Sequence, residues 1–296
     1  MSNQRPLSRE SFLNNKVIFV DGFVGGGKTL LGQIIASLDS VEMWVHRPLV
    51  EQLCGLHAHG EINEASAINL LNCCFDNEVY SQALLRDSNF RSYDHSSIFK
   101  YPKKIEYLKR IFNSNDADLF NQFTEDNRAL HFMSHGITAI SEPIFQSLGD
   151  RLIFCRLTRC PSNIYMLNHL ANWSKRWGKE SRNGMICKDV NGEKVPYFIV
   201  NRVEEYAIAD EHERAIIMLE EWLVEGHKIS DKKNTKIIEV PFENFVFKPH
   251  EFIEKIAVKL GKTINKKTIK EMKKQRVPRK SLDDAPKNQY FKNNGW

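Results

Sequence analysis

The sequence predicts an α/β fold, a parallel sheet with helices on both faces and one helical insertion, from three observations. An apolar run of β-branched and aromatic residues from Val17 to Val20 breaks into the glycine-rich stretch Gly22 to Thr29. Leu30, Leu31, Ile34, Ile35 and Leu38 then recur at helical spacing. Further short apolar runs, Ile137 to Ser141, Arg151 to Leu157 and Thr235 to Val240, are separated by helical stretches. Strands that alternate with helices pair in parallel, because a parallel neighbour needs a long crossover.

The first βα unit carries the strongest motif. Gly22 to Thr29, GFVGGGKT, fits G-x-x-x-x-G-K-[ST], with Gly22 and Gly27 as the fixed glycines. Such a loop curls so that its backbone N–H groups point inward, and the positive end of the following helix faces the same hollow. That hollow binds phosphate, which makes this a P-loop and marks Gly22, Gly25, Gly26, Gly27, Lys28, Thr29 and Leu30 as its contacts. From Pro48 to Met133 apolar residues recur at three and four, as in Leu49-Leu53-Leu56 and Ile105-Leu108-Phe112, and predict helices without a strand. Gly178 to Pro196 is polar and broken by Gly178, Gly184, Gly192 and Pro196, and reads as a surface loop or lid. The last strand precedes two helices, Pro249 to Leu260 and Thr263 to Lys274. A single domain over 1–296 is expected, with 48–133 as the helical insertion, 178–196 as the lid loop and 262–296 as a basic tail.

Composition narrows the function. The 296 residues are 42% hydrophobic and carry a formal charge of +5, a diffuse excess that suits anionic small ligands and does not argue for nucleic acid. Lys266, Lys267, Lys270, Lys273 and Lys274 read as a solvated helix face. The six cysteines show neither paired C-x-x-C spacing nor a neighbouring histidine cluster, so reduced packing thiols are expected, with no metal site. Neither a signal peptide nor a membrane span is indicated, and the cytoplasm is the expected location.

Three blocks in order together resemble the sulfotransferase family, whose members carry the P-loop fold and use 3′-phosphoadenosine 5′-phosphosulfate (PAPS) as donor. Gly25 to Leu31, GGGKTLL, stands where the family has a loop ending S-G-T-T-L-L that contacts the 5′-phosphosulfate. Ser141 to Leu167 is similar to the family's K-T-P turn, a strand ending R-D-P-R and a helix. Ile237 to Gly261 is similar to its strand, Y-E-D-L, a proline and a helix ending in L-G. The resemblance implies that Arg159 holds the 3′-phosphate, a contact that suits a planar, permanently charged fork. It also implies that Arg279 and Lys280, in VPRKS, form the late basic loop over that phosphate. There are departures: Leu167 stands where the family has its 3′-phosphate serine, leaving Ser162 or Asn168 to substitute. Gly25 replaces a cation, Lys28 a threonine, and Ser141 a lysine.

For sulfuryl transfer to an alcohol, Lys28 and Arg159 would supply cations and a base would take the hydroxyl proton. Alignment with the protein-tyrosine branch of the family places His46 at the catalytic glutamate. A free imidazole, with pKa near ~6.5, suits that work. Glu142, expected at a strand end facing the loop, and the Asp94-His95 pair are further candidates. Trp173 and Trp177, four apart, are expected on one face of a helix as core. Three readings stay open. The first is PAPS-dependent transfer to a small-molecule or glycan acceptor. The second is an ATP-dependent kinase, with Lys28 on phosphates and Thr29 on Mg²⁺. The third is a nucleotide-binding protein without catalysis.

Overall fold

The computed structural model describes residues 9, 14–161, 164–181, 185–233 and 236–282. In chain order the elements are β1 (Val17–Asp21), α1 (Lys28–Ala36), α2 (Pro48–Ala58), α3 (Glu64–Leu84), α4 (Lys104–Ile111), α5 (Asp116–Glu125), β2 (Leu130–Met133), α6 (Glu142–Leu148), β3 (Leu152–Thr158) and α7 (Ile164–Ser174). They continue with β4 (Cys187–Val190), β5 (Glu193–Pro196), α8 (Val203–Ile208), α9 (Glu211–Lys232), β6 (Ile237–Pro241), α10 (Phe242–Phe247), α11 (Pro249–Leu260) and α12 (Lys266–Lys274).

Strand alternation explains why two layers of helix are needed. The sheet is four-stranded, wholly parallel and ordered β2-β1-β3-β6. Val17 and Phe19 face a core built with α2, α3, α6, α7 and α9, while Ile18 and Val20 face another built with α1, α11 and α12. On the first face Phe132, Phe19 and Phe154 pair in register across three strands. Phe19 stacks on both, at 4.9 and 6.0 Å between ring centroids. Phe75 of α3 meets this row edge-on at 6.1 Å. Among the described residues no helix is long and apolar enough to cross a membrane.

Four sequence expectations are corrected. There is no strand at Ile137 to Ser141; Thr138–Ile140 is a single 3₁₀ turn. The Asp21 carboxylate accepts from the Ile137 and Thr138 N–H groups at 3.1 and 2.9 Å, removing donors that a strand would give to the ladder. The missing strand is β2, inside the stretch read as helical, and its four residues are too few to show a period. Gly178 to Pro196 contains the hairpin β4-β5, whose Asn191-Gly192 turn has left-handed φ of 53° and 88° at both positions. Gly184 lies outside the described residues. Finally, α7 ends at Ser174, so Trp173 and Trp177 do not share one helix.

At the edge of the sheet the chain from Val41 to Val45 runs beside β2. Val45 N–H donates to His131 O and Met133 N–H to Val45 O, each at 2.9 Å. This pairing brings the next residue, His46, level with the end of β2. Beneath it, buried Glu42 binds Arg110 at 3.0 Å as well as Arg128 and Tyr107, which anchors the strip.

Candidate active site

The glycine loop from Gly22 to Thr29 is closed by its own hydrogen bonds. Gly26 N–H donates to Phe23 O at 3.1 Å, and Leu30 N–H returns to Gly27 O at 3.0 Å. Gly27 caps α1 with φ 105°, and a Cβ there would lie 2.3 Å from the Phe242 ring, so only glycine fits. Lys28, in the first turn of α1, is 5% exposed and folds its ammonium back to the Gly22 carbonyl. Burial lowers its pKa to about 8, against the upward pull of Asp21 and Glu51. Thr29 and Leu30 are partly buried beside it.

Arg159 immediately follows β3, the strand beside β1. Its Nη1 donates to the Gly25 carbonyl at 2.6 Å, and its guanidinium lies 4.6 Å from the Phe242 ring centroid. Arg279 lies 5.5 Å from the same centroid, with its backbone N–H bound to Val246 O at 2.8 Å. One aromatic ring thus gathers the loop, Arg159 and Arg279, which are far apart in the sequence. Lys280 is exposed next to Arg279. Ser162 lies outside the described residues.

On the other side of the loop is a cavity of about 280 Å³ whose wall includes Phe23 and Val24 of the loop itself, Trp177 and Phe198. Its polar floor is Glu51. The Oε1 atom of Glu51 lies 3.2 Å from His46 Nε2 and 3.2 Å from His135 Nδ1, and accepts from the His135 backbone N–H at 2.9 Å. Tyr197 donates its hydroxyl to Oε2 at 2.8 Å. Burial pushes the Glu51 carboxyl up, but His135 and His46 outweigh it and hold the group below the usual carboxylate range. Desolvation, with the Lys28 ammonium behind it, lowers His135 to about 4, so its ring is neutral at pH 7 and donates through Nδ1–H. The His46 and His135 rings meet edge to face at 4.5 Å.

The structure therefore brings Gly22, Gly25, Gly26, Gly27, Lys28, Arg159 and Arg279 to one loop, and His46 to the adjoining cavity. Glu142 is elsewhere. It opens α6 rather than ending a strand, and its carboxylate binds Lys233 at 3.0 Å and Gln146 at 3.5 Å. Lys233 lies just ahead of β6, at the end of the sheet where strands begin. Asp94 accepts from Asn89 at 3.1 Å, and His95 is exposed, with its backbone carbonyl bound by Gln33 at 3.2 Å. A larger cavity, of 480 Å³, opens around Lys103, Arg110 and Arg128 and includes no loop residue.

Glu51, His135 and Tyr197 were not foreseen from sequence. Glu51 looks like a helix-surface acid, and Tyr197 sits just past the stretch read as a lid. His135 had a signal, the turn Ser134-His135-Gly136 after the apolar Leu130 to Met133. Gly136, with φ 74°, leaves room for the Phe23 ring, which a Cβ would approach to 2.5 Å.

No protein-family model matches the chain, and no curated protein matches it. The solved structures it resembles include sulfotransferase domains. One is from the Synechococcus PCC 7002 olefin synthase, at 13% identity and TM-score 0.46, covering 90% of this chain and 81% of that one. Another is from the curacin biosynthetic pathway, at 11% and 0.48, covering 88% and 78%. A third is the sulfotransferase STF1 of Mycobacterium tuberculosis H37Rv, at 10% and 0.42, covering 94% and 76%. TM-scores below 0.5 leave the function to be read from the side chains of the site.

Proposed function

We propose that the chain is a sulfotransferase-type enzyme that moves a sulfuryl group from PAPS to the hydroxyl of a small acceptor. The observation that carries this reading is the pair of separate cationic positions on one phosphate loop. Lys28 lies at the helix end, and Arg159 is bound to Gly25 O and stacked on Phe242, with Arg279 on the same ring. A donor with two separate anionic groups, a 5′-phosphosulfate and a 3′-phosphate, matches two such positions.

A kinase would need an acid to order Mg²⁺ near Thr29. The strands flanking β1 run into Ser134-His135 and into Arg159, and the carboxylates there are already engaged, Glu51 by His46, His135 and Tyr197 and Glu243 by the Cys160 N–H at 3.2 Å and by Arg159 at 4.0 Å. Asp21, next to the loop, is engaged by Ser134, Ile137, Thr138 and the Trp222 indole N–H. A donor that needs no Mg²⁺ at Thr29 fits these residues better.

PAPS, when bound, supplies the sulfuryl group and leaves as adenosine 3′,5′-bisphosphate. The acceptor oxygen bonds to sulfur as the bond from sulfur to the phosphate oxygen breaks, and that oxygen keeps the electron pair. His46 takes the hydroxyl proton: Glu51 accepts its Nε2–H, which leaves Nδ1 as the basic nitrogen. Lys28 counters charge gathering on the leaving phosphate. Aromatic walls and 280 Å³ suit a small molecule with an apolar body rather than a glycan.

A transfer assay with ³⁵S-labelled PAPS and a panel of small alcohols and phenols tests this. Labelled product should form, and His46→Ala should lower turnover about 100-fold or more while bisphosphate affinity changes little. Donor binding without transfer to any acceptor would favour the non-catalytic reading. Full turnover in His46→Ala would move the base to His135.

A further inference from the structure

We infer that His46, Glu51 and His135 form a binding site for one transition-metal ion, with Zn²⁺ the best match. Binding can be read without donor or acceptor, and an ion on His46 Nε2 would put the ring proton on Nδ1, so the loaded site and His46 as base are alternative states of the same residue. Its three ligand atoms, His46 Nε2, His135 Nδ1 and Glu51 Oε1, all lie within 4.8 Å of one another. Each nitrogen is 3.2 Å from the oxygen. Zinc bonds of about 2.0–2.1 Å at tetrahedral angles put neighbouring ligand atoms about 3.3 Å apart. Two of the three separations therefore already have the spacing of a shared ion.

The donor set is selective. Two imidazoles with one carboxylate suit zinc and its first-row neighbours, whereas Mg²⁺ and Ca²⁺ favour oxygen ligands. Three protein ligands leave a fourth position, here opening on the cavity, as in zinc sites that bind water or a substrate atom. The carboxylate is also held in place from outside. The Tyr197 hydroxyl bonds Oε2 at 2.8 Å and the His135 N–H bonds Oε1 at 2.9 Å, the kind of outer support that orients metal ligands. Lys28 is the nearby cation that an ion would oppose, and its ammonium turns to the Gly22 carbonyl while Asp21 and then Glu51 supply the balancing charge. The ligands come from a sheet-edge strip, a helix and a strand end, so no sequence spacing announces them.

The test is titration of the chelator-stripped full chain with Zn²⁺, and with Co²⁺ to read its visible d–d bands. One ion should bind per chain, with the intense absorption of a tetrahedral cobalt site. Separate His46→Ala and His135→Ala variants should each weaken binding by at least 10-fold, and Tyr197→Phe by about 10–100-fold. His250→Ala and Cys160→Ser, both at exposed positions, should bind like the parent. Melting curves of the unloaded variants separate lost ligands from lost fold, and His46, with its side chain 37% exposed, is the variant best placed to keep the fold. No saturable uptake, uptake unchanged in a folded His46→Ala, or uptake abolished by Cys160→Ser would overturn the site.

Discussion

Lys28 shows how one residue can set the behaviour of a loop. Its ammonium is desolvated and bound to a backbone carbonyl, which lowers its pKa to about 8. The charged form attracts an anion, so affinity for adenosine 3′,5′-bisphosphate should fall as pH rises through about 8. Calorimetric titration from pH 7 to pH 9 checks this, and the fall should be absent in Lys28→Ala. The same variant should lose transfer by about 100-fold or more with its melting point nearly unchanged, because the lysine acts on developing charge rather than on the core. In the proposed reaction Glu51 acts at one remove, by holding the imidazoles of His46 and His135. In Glu51→Gln one donor would face an amide instead of a carboxylate, and turnover should fall while bisphosphate affinity stays close to the parent's.

At the scale of elements, the junction of β6 and α10 matters most for the proposed donor site. Phe242, the first residue of α10, packs against Gly27 and carries the guanidinium groups of Arg159 and Arg279 on its ring. Phe242→Leu keeps an apolar side chain there and removes the π face. At about 0.5–1 kcal/mol for each contact, bisphosphate affinity should drop by roughly 10-fold in a binding titration. The parts of this junction were readable as a loop motif and as two blocks of resemblance, because strand, glycine turn and helix follow one another in the chain. The cavity was not. Val41 to Val45 pairs only at its ends, β2 is four residues long, and Glu51 faces inward from a short helix that leaves the apolar Leu49 exposed. Glu142 failed in the opposite sense. Its neighbourhood looked like a strand end, but Asp21 had taken the backbone donors that a strand would use.

Over the whole molecule, the two-faced sheet buries ionisable groups whose protonation ties stability to pH. His131, on β2, is 1% exposed, and burial lowers its pKa to about 3. The unfolded chain would take up this proton from about pH 6.5 downward while the folded chain does not, so stability falls as pH falls. The loss is at most about 1.4 kcal/mol per pH unit for one such group. Glu42 and Glu51, held low when folded, add their loss only below about pH 4.3. Urea unfolding should therefore show lower stability at pH 5 than at pH 7, with a smaller difference in His131→Phe. An equal difference in that variant would show that other groups set the dependence. The central claim concerns which phosphate compound the loop and its arginines hold. Thermal-shift measurement with adenosine 3′,5′-bisphosphate, ADP and ATP, each with and without Mg²⁺, tests it most directly, since a ligand that binds the folded chain raises the melting point by mass action. The bisphosphate should raise it by several degrees without metal, and Arg159→Ala should abolish that rise. A rise with Mg-ATP alone, absent with the bisphosphate, would contradict the claim.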